Sequence, residues 1–410
     1  MGEISFVNQS FVKTKTAQHK RPRVDLVLVG VVLGLTLFGL LMVYSAGTKF
    51  AEDSDYFLGR QAIFAGVGIF IAAVLSRLNY HYFQKLTVLM MAVTLIALVV
   101  TTMIGDRTFG ANRSLLNGSI RPSELAKLVV IIYVAVWLTS KKDVLNDMLM
   151  GLLPLTVILG VTAGLIFLQP DLSASITIII LGGLLFFLAG GAYRQIAIVI
   201  ALAILLGFLV VKFYPTGQQR VVDYWAGLNN PLNASYHVQR SLGAIINGGL
   251  FGVGIAHGST KFTGLPVAHT DSIFAVIAEE LGLFGSGLLI AAYIVLLWRG
   301  LRIAQNAPDQ FGTLLASGIT VWIVVEALLN MAVMVNLLPQ AGNALPFISY
   351  GGSNLTVTLA GVGILMNIAR LSGAAANKQG GNTFGAVVDL RWRDRGRRVS
   401  RSSHSPGTRK

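Results

Sequence analysis

Ser235–Gly254 reads SYHVQRSLGAIINGGLFGVG and Ala268–Gly282 reads AHTDSIFAVIAEELG, and the fold of the whole chain is decided by what these two pieces do together. The first is glycine-rich and apolar but carries an arginine. The second begins as a polar loop and turns into an apolar helical pattern at Asp271, which sets a carboxylate where water meets hydrocarbon. Outward from this stretch in both directions lie long apolar runs. With 54% apolar and 12% charged residues and a mean hydropathy of +0.69, the chain does not have the composition of a water-soluble surface. It reads as an integral membrane protein.

About 20 apolar residues cross a bilayer as a helix, and spans are expected at 24–45, 60–77, 86–104, 123–139, 151–168, 172–190, 195–213, 272–298, 313–335 and 348–369. The fold class is therefore an all-α polytopic membrane protein of about ten transmembrane helices. One large extracytoplasmic loop, 214–271, separates helices 7 and 8. The run from Val24 to Val43 follows Lys20, Arg21 and Arg23 like a signal peptide, but it is long enough to span and no convincing cleavage site follows it. With the N-terminus inside, Arg77, Lys85, Lys141, Lys142, Arg194, Arg299 and Arg302 fall on the cytoplasmic side, as the positive-inside rule requires. Residues 1–23 form a basic cytoplasmic tail, 24–370 the membrane domain, and 371–410 a basic, disordered cytoplasmic tail. Those tails hold much of the +14 net charge, which argues against a nucleic-acid partner. The absence of cysteine excludes disulfides, cysteine metal sites and thiol chemistry.

Charge on the outer side is what this topology leaves over. Arg107, Arg113, Arg121, Arg220, Arg240 and Lys261 lie in outer segments, and Lys127 sits about one turn inside the fourth span. Long loops translocate whatever their charge, so solvation is one account. An anion site is the other, because guanidinium forks suit the phosphates of an outer-leaflet lipid. Glu279, Glu280 and Glu326 are intramembrane carboxylates, costly unless they face a cavity or a partner. Glu279 is about 12 Å deeper than Asp271 and within about 80° of its face, so it is placed in a cavity beneath Asp271. Glu280 points nearly opposite, with Lys127 its nearest cationic candidate by depth; structural ion pairing is the alternative for all three glutamates.

On residue type alone Asp271 is a helix N-cap, and Asp171 is read as one. Asp271 is raised above that by its setting, preceded by His269 and Thr270 in a loop rich in arginine and glycine at the outer water layer. The glycines, Gly249 among them, lack the preceding strand and following lysine of a phosphate loop. They suit a pliable re-entrant or interfacial segment next to a lipid-linked substrate. His237, His257 and His269 are too scattered for a metal site.

RPSELAK (Arg121–Lys127), QPD (Gln169–Asp171), YHVQRSL with GGLFGVG, AHTD with AVIAEELG, and PFISYGG (Pro346–Gly352) occur in an order that resembles the SEDS family of shape, elongation, division and sporulation proteins, typified by FtsW and RodA, from about Val24 to Arg370. The resemblance implies a ten-helix polymerase of peptidoglycan glycan strands. It would use lipid II in the cytoplasmic membrane of a bacterium and work with a class B penicillin-binding transpeptidase among other division or elongation proteins. It implies Asp271 as the catalytic residue, supported by Glu279, Glu280 and Lys127, with His269 beside it. Two departures stand out: Arg113 is the lone cation where the family often has two, and Val267 and Ser272 replace a common acidic residue and phenylalanine.

The expected chemistry is attack of an acceptor GlcNAc 4-hydroxyl on the anomeric carbon of a MurNAc, with inversion and release of undecaprenyl pyrophosphate. Asp271 is the base, and Arg113, Arg220, Arg240, Lys261 and the Gly249 loop hold the pyrophosphate. No cofactor is required; a divalent cation is compatible with the sequence but not demanded by it. A lipid-linked precursor flippase would spread charge through the full membrane depth and repeat with inverted topology, and neither is evident. A non-catalytic scaffold would leave Asp271 and the outer arginines unused.

Overall fold

A computed structural model describes residues 25–373 apart from 48–53, 109–110, 115–119 and 214, so the two basic tails lie outside the described residues. Val24–Ser372 forms one compact unit. In a bilayer every backbone N–H and C=O must be satisfied within the protein, so each apolar run folds as a helix. The elements are α1 (Leu26–Gly47), α2 (Ser54–Arg77), α3 (His81–Ile104), α4 (Pro122–Ser140), α5 (Leu153–Phe167), α6 (Leu172–Leu188), α7 (Tyr193–Phe213), α8 (Pro215–Asn229), α9 (Tyr236–Gly248), α10 (Ile273–Gln305), α11 (Gln310–Met334) and α12 (Gly352–Gly373). Eight helices among the described residues are long and apolar enough to cross a membrane, and α6 is a shorter apolar helix. A small antiparallel hairpin, β1 (Asp106–Thr108) with β2 (Ala111–Ser114), follows α3 and is the one addition to the helical plan among the described residues.

Turns alternate between two ends. At one end Tyr80 donates to Asp309 at 2.8 Å, Ala192 N donates to Asn146 at 2.9 Å, and Arg299 Nε holds both oxygens of Asp25 at 3.1 and 3.2 Å. Burial and the Asp309 carboxylate push the Tyr80 phenol up. The other end gathers the hairpin, the QPD turn, residues 215–272 and 335–351. At the QPD turn Asp171 accepts from Ala174 N at 3.2 Å and caps α6 as expected. α4, α11 and α12 form the centre, with Ile131, Leu315, Ile319, Trp322 and Leu365 fully buried. α2 and α12 meet closely: a Cβ at Gly363 would stand 2.6 Å from the Ala72 carbonyl, a small-residue contact typical of membrane helices.

The segment expected as one long loop, 214–271, is half helical. α8 and α9 are joined by a short three-ten turn, Pro231–Asn233, and Ser235 caps α9 through Val238 N at 3.4 Å. His237, Val238, Ser241, Ala244 and Gly248 form the buried face of α9, a helical spacing. α9 packs on α10, and the irregular stretch 249–272 returns over it.

Candidate functional site around Asp271

The site is built on a break in α10. Gly282 has φ +68° and ψ −166°, a backbone region open essentially to glycine alone. An unbroken helix would bond Leu283 N to Glu279 O and Phe284 N to Glu280 O. Instead the glycine-rich loop is spliced into the gap. Val253 N donates to Glu279 O and Gly254 N to Glu280 O, both at 3.0 Å, while Leu283 N donates to Gly249 O at 2.9 Å and Phe284 N to Leu250 O at 3.0 Å. A Cβ on Gly252 would lie 2.2 Å from Glu280 O, so the approach itself demands glycine. Gly249 therefore serves the splice, at the C-terminus of α9.

Asp271 stands half-buried in the turn before α10, and the N-cap position falls one residue later, at Ser272. Its surroundings come from three segments. Asn330 Nδ2 of α11 donates to Asp271 O at 2.9 Å and to Asn343 O at 2.6 Å. Ser349 Oγ donates to Thr270 O at 2.8 Å, and Tyr350 N to His269 O at 2.8 Å. A Cβ on Gly342 would come within 3.4 Å of the Asp271 carboxylate, which that glycine leaves room around. His269 stacks on Phe57 at 4.6 Å and meets Tyr350 edge-on at 5.5 Å; burial lowers its proton affinity, so it stands neutral.

A second polar chain passes one residue from Asp271. Gln340 Nε2 donates to His237 Nδ1, which assigns the proton to Nε2, and that nitrogen donates to Ser272 Oγ. Ser272 in turn donates to Pro266 O at 2.6 Å. Burial lowers the proton affinity of His237, in keeping with its accepting role. His237, Ser272, Asn330 and Gln340 were not singled out by sequence as site residues. The signal available was the polar residue at 272, in a position otherwise opening an apolar helix. Asn330 Oδ1, Asn343 Nδ2 and Arg240 Nε are buried polar atoms with no partner among the described residues, as are Trp322 Nε1 and Glu326 Oε2 further along α11. Such atoms are rare in folded proteins and mark places where a ligand or water bonds.

The other expected charges divide. Glu279 does not line a cavity beneath Asp271: it is buried, and accepts from Ser259 N and Thr260 N at 3.1 Å and from Thr260 Oγ1 at 2.8 Å, pinning the 259–260 turn. Glu280 does not pair with Lys127. Its partners are Lys261 at 2.7 Å and Ser45 at 2.7 Å. Lys261 is thus corrected from pyrophosphate ligand to core residue, since its ammonium is fully buried and also donates to Ser45 O at 2.9 Å. Lys127 pairs with Glu124 at 2.8 Å and with Glu326, and Asn354 Nδ2 donates to Glu124 at 2.8 Å. Glu326 is thus ion-paired.

Of the arginines, Arg113 lies on β2 and its side chain is outside the described residues. Arg220 is half-buried and lines a shallow cleft with Tyr224, Ser235, Asn336 and Gln340. Arg240 lies over the Tyr236 ring at 5.6 Å. No cluster of three or more metal-ligating side chains occurs among the described residues.

A family model described as "Cell cycle protein", covering FtsW, RodA and SpoVE, matches residues 25–373. The probable peptidoglycan glycosyltransferase FtsW of Geobacter sulfurreducens is 38% identical over 361 residues, 86% of this chain and 97% of that one. Stage V sporulation protein E of Bacillus subtilis is 35% identical over 362 residues, 86% and 99% of the two chains. Among solved structures, a chain of a peptidoglycan synthase complex that coordinates polymerization and crosslinking matches with TM-score 0.70 at 26% identity, over 85% of this chain and 98% of that one. The rod shape determining protein RodA of Thermus thermophilus matches with TM-score 0.63 at 25% identity, over 84% and 96%.

Proposed function

The chain belongs to the FtsW, RodA and SpoVE family of cell cycle proteins and is a peptidoglycan glycosyltransferase of the membrane; we propose that it joins lipid II units at the outer face of the cytoplasmic membrane, with Asp271 as the base. The observation that carries this reading is the half-buried Asp271 carboxylate among segments that hold the unpartnered polar atoms Asn330 Oδ1, Asn343 Nδ2 and Arg240 Nε. Sugar hydroxyls supply both donors and acceptors for such groups.

In the reaction the Asp271 carboxylate takes the proton of the acceptor GlcNAc 4-hydroxyl as that oxygen bonds to the anomeric carbon of MurNAc. The bond to the undecaprenyl pyrophosphate oxygen breaks on the opposite face, which inverts the centre. Arg240, with Arg220 in the neighbouring cleft, offsets the charge that grows on the leaving pyrophosphate. Glu279 and the Glu280–Lys261 pair act at a remove, by fixing the loop that carries His269 and Asp271. Lys127, within its ion-paired cluster, holds α4 to α11. The reaction needs no cofactor in this scheme. A class B penicillin-binding transpeptidase is the partner that would crosslink the product, a pairing supported by the likeness to a synthase complex.

The test is polymerisation of lipid II by the purified protein with its transpeptidase. Asp271→Ala and Asp271→Asn should each lose activity by about 10²–10⁴-fold, the usual contribution of a positioned base, with an unchanged thermal unfolding midpoint. Polymerisation at the parental rate by either variant would remove Asp271 from the chemistry. Lipid II confined to the outer leaflet of proteoliposomes distinguishes a polymerase from a flippase, because glycan then forms without translocation.

A further inference from the structure

α10 is longer than a bilayer requires, and the excess locates the membrane boundary. It holds 33 residues with the break at Gly282 among them, and the unbroken part after the break, residues 283–305, alone runs about 35 Å, against about 30 Å for the hydrocarbon core. At the far end Trp298 is exposed and Arg299 is ion-paired with Asp25, an aromatic and a cation of the kind that anchor a helix at the interface. Counting back about 20 residues from Trp298 reaches Glu279. The break at Gly282 and the loop spliced into it therefore lie at the membrane boundary, and Asp271 lies above it.

At that level the loop shows apolar side chains outward. Phe251 is 80% exposed, Ile246 77% and Leu250 65%, next to Phe284 at 72% and Leu283 at 65% on α10. The exposed face continues down α10 through Leu288 and Ile294 without interruption. The splice bonds fix Leu250 beside Phe284, because Phe284 N donates to Leu250 O. A patch of this kind, continuous with the lipid-facing wall of a span, is covered by the same solvent as that wall.

We propose that the Gly249–Ile255 loop docks on the lipid bilayer, with Leu250 and Phe251, together with Ile246 of α9, entering the boundary between headgroups and acyl chains. The splice makes this a rigid foot. α9 leads directly into the foot, so docking of the foot also sets where Arg240, six residues before Ile246, stands relative to the substrate. The docking stands without the glycosyltransferase assignment; only this consequence for Arg240 rests on it.

The chain contains no cysteine, so Phe251→Cys carries a single thiol for an environment-sensitive fluorophore. Ile246→Cys repeats the measurement on α9, Leu232→Cys in the exposed Pro231–Asn233 turn gives the water reference, and Leu288→Cys gives the lipid reference. The full chain is reconstituted in phosphatidylcholine and phosphatidylglycerol vesicles, with and without a shallow nitroxide lipid, and titrated with iodide. Labels at 251 and 246 should be quenched by the nitroxide lipid and be several-fold less sensitive to iodide than the label at 232. Iodide sensitivity equal to that at 232 would place the loop in water and overturn the proposal. Protection from iodide without nitroxide quenching would assign the patch to a protein partner or a second copy, and overturn it equally. Neither readout passes through glycan synthesis, so the docking and the enzymatic assignment fail separately.

Discussion

Replacing Gly282 by alanine should heal α10 and release the glycine-rich loop. An alanine Cβ would lie 2.4 Å from Gly252 N and 2.6 Å from the Leu250 carbonyl, and it would occupy a backbone region costing about 1–3 kcal/mol. Helical φ and ψ at position 282 relieve both. Leu283 N and Phe284 N then bond to Glu279 O and Glu280 O, so two helix bonds replace the four that now join loop to break. That exchange, a net loss of two bonds at about 1 kcal/mol each, opposes opening equally in the parent and in the variant, so it cancels from the difference between them. Strain at 282 and the preference of alanine over glycine in a helix, about 1 kcal/mol, together shift the equilibrium toward the open state by about 2–4 kcal/mol, and at about 1.4 kcal/mol per tenfold that is on the order of 10–10³. Hydrogen exchange by mass spectrometry reads it residue by residue. Val253 and Gly254 amides should exchange on the order of a hundredfold faster, while Leu283 and Phe284 stay protected because the helix has taken them. This asymmetry separates release of the loop from general loss of fold. Unchanged exchange at Val253 and Gly254, or equal loss at all four amides, would refute the account of the break.

The buried Lys261–Glu280 pair makes a second prediction: Lys261→Met alone strands a carboxylate and should cost about 3–5 kcal/mol, whereas Lys261→Met with Glu280→Leu should recover most of it. Thermal unfolding midpoints in matched detergent check the pair, and a double variant no better than the single would show that the charges do not compensate each other. His237 gives a pH prediction with a definite sign. Burial depresses its folded affinity for protons below the ordinary value of 6.5, so the unfolded chain binds the proton more readily. The contribution is full above pH 6.5 and is lost as the pH falls below that value. Protonation also removes the Nδ1 acceptor from Gln340. His237→Gln should flatten the fall in unfolding midpoint between about pH 7.5 and about pH 5.5, leaving the part due to His269; an unaltered slope would remove His237 from the titration.

Of the ten expected spans, the eight whose helices are long and apolar enough to cross were legible because hydrocarbon leaves an apolar run no other way to satisfy its backbone. The start of α10 was expected at 272 and is found at Ile273, yet its end lies at Gln305 instead of 298, because the turns past Arg299 are too polar to read as span. α8 and α9 were hidden for a related reason: short amphipathic helices beside a membrane look like loop next to fully apolar neighbours. Ser235 and the spacing of His237, Ser241 and Ala244 held the signal for α9. The break at Gly282 was not legible at all. A single glycine inside an apolar helix is ordinarily tolerated, and only the partner loop, with its glycines at 249, 252 and 254, gives it another use.

That one break also explains why the charges were paired wrongly. Depth along an unbroken helix puts Glu280 level with Lys127, and a loop lysine such as Lys261 belongs to the water. Once the chain after α9 folds back into the break, residues 258–261 come down with it, and Lys261 reaches Glu280 and Ser45 before any ligand can. Lys127 is left to Glu124 and Glu326, which outnumber it, so it too has no charge to spare for a pyrophosphate. In the proposed reaction the anion therefore falls to the arginines, and among their described side chains Arg240 is the one with a buried nitrogen that has no partner. A clamp thinned in this way depends on where α9 is held, and α9 ends in the loop that the break secures. Under the proposed mechanism Gly282 thus bears on the leaving group from a distance, without touching it.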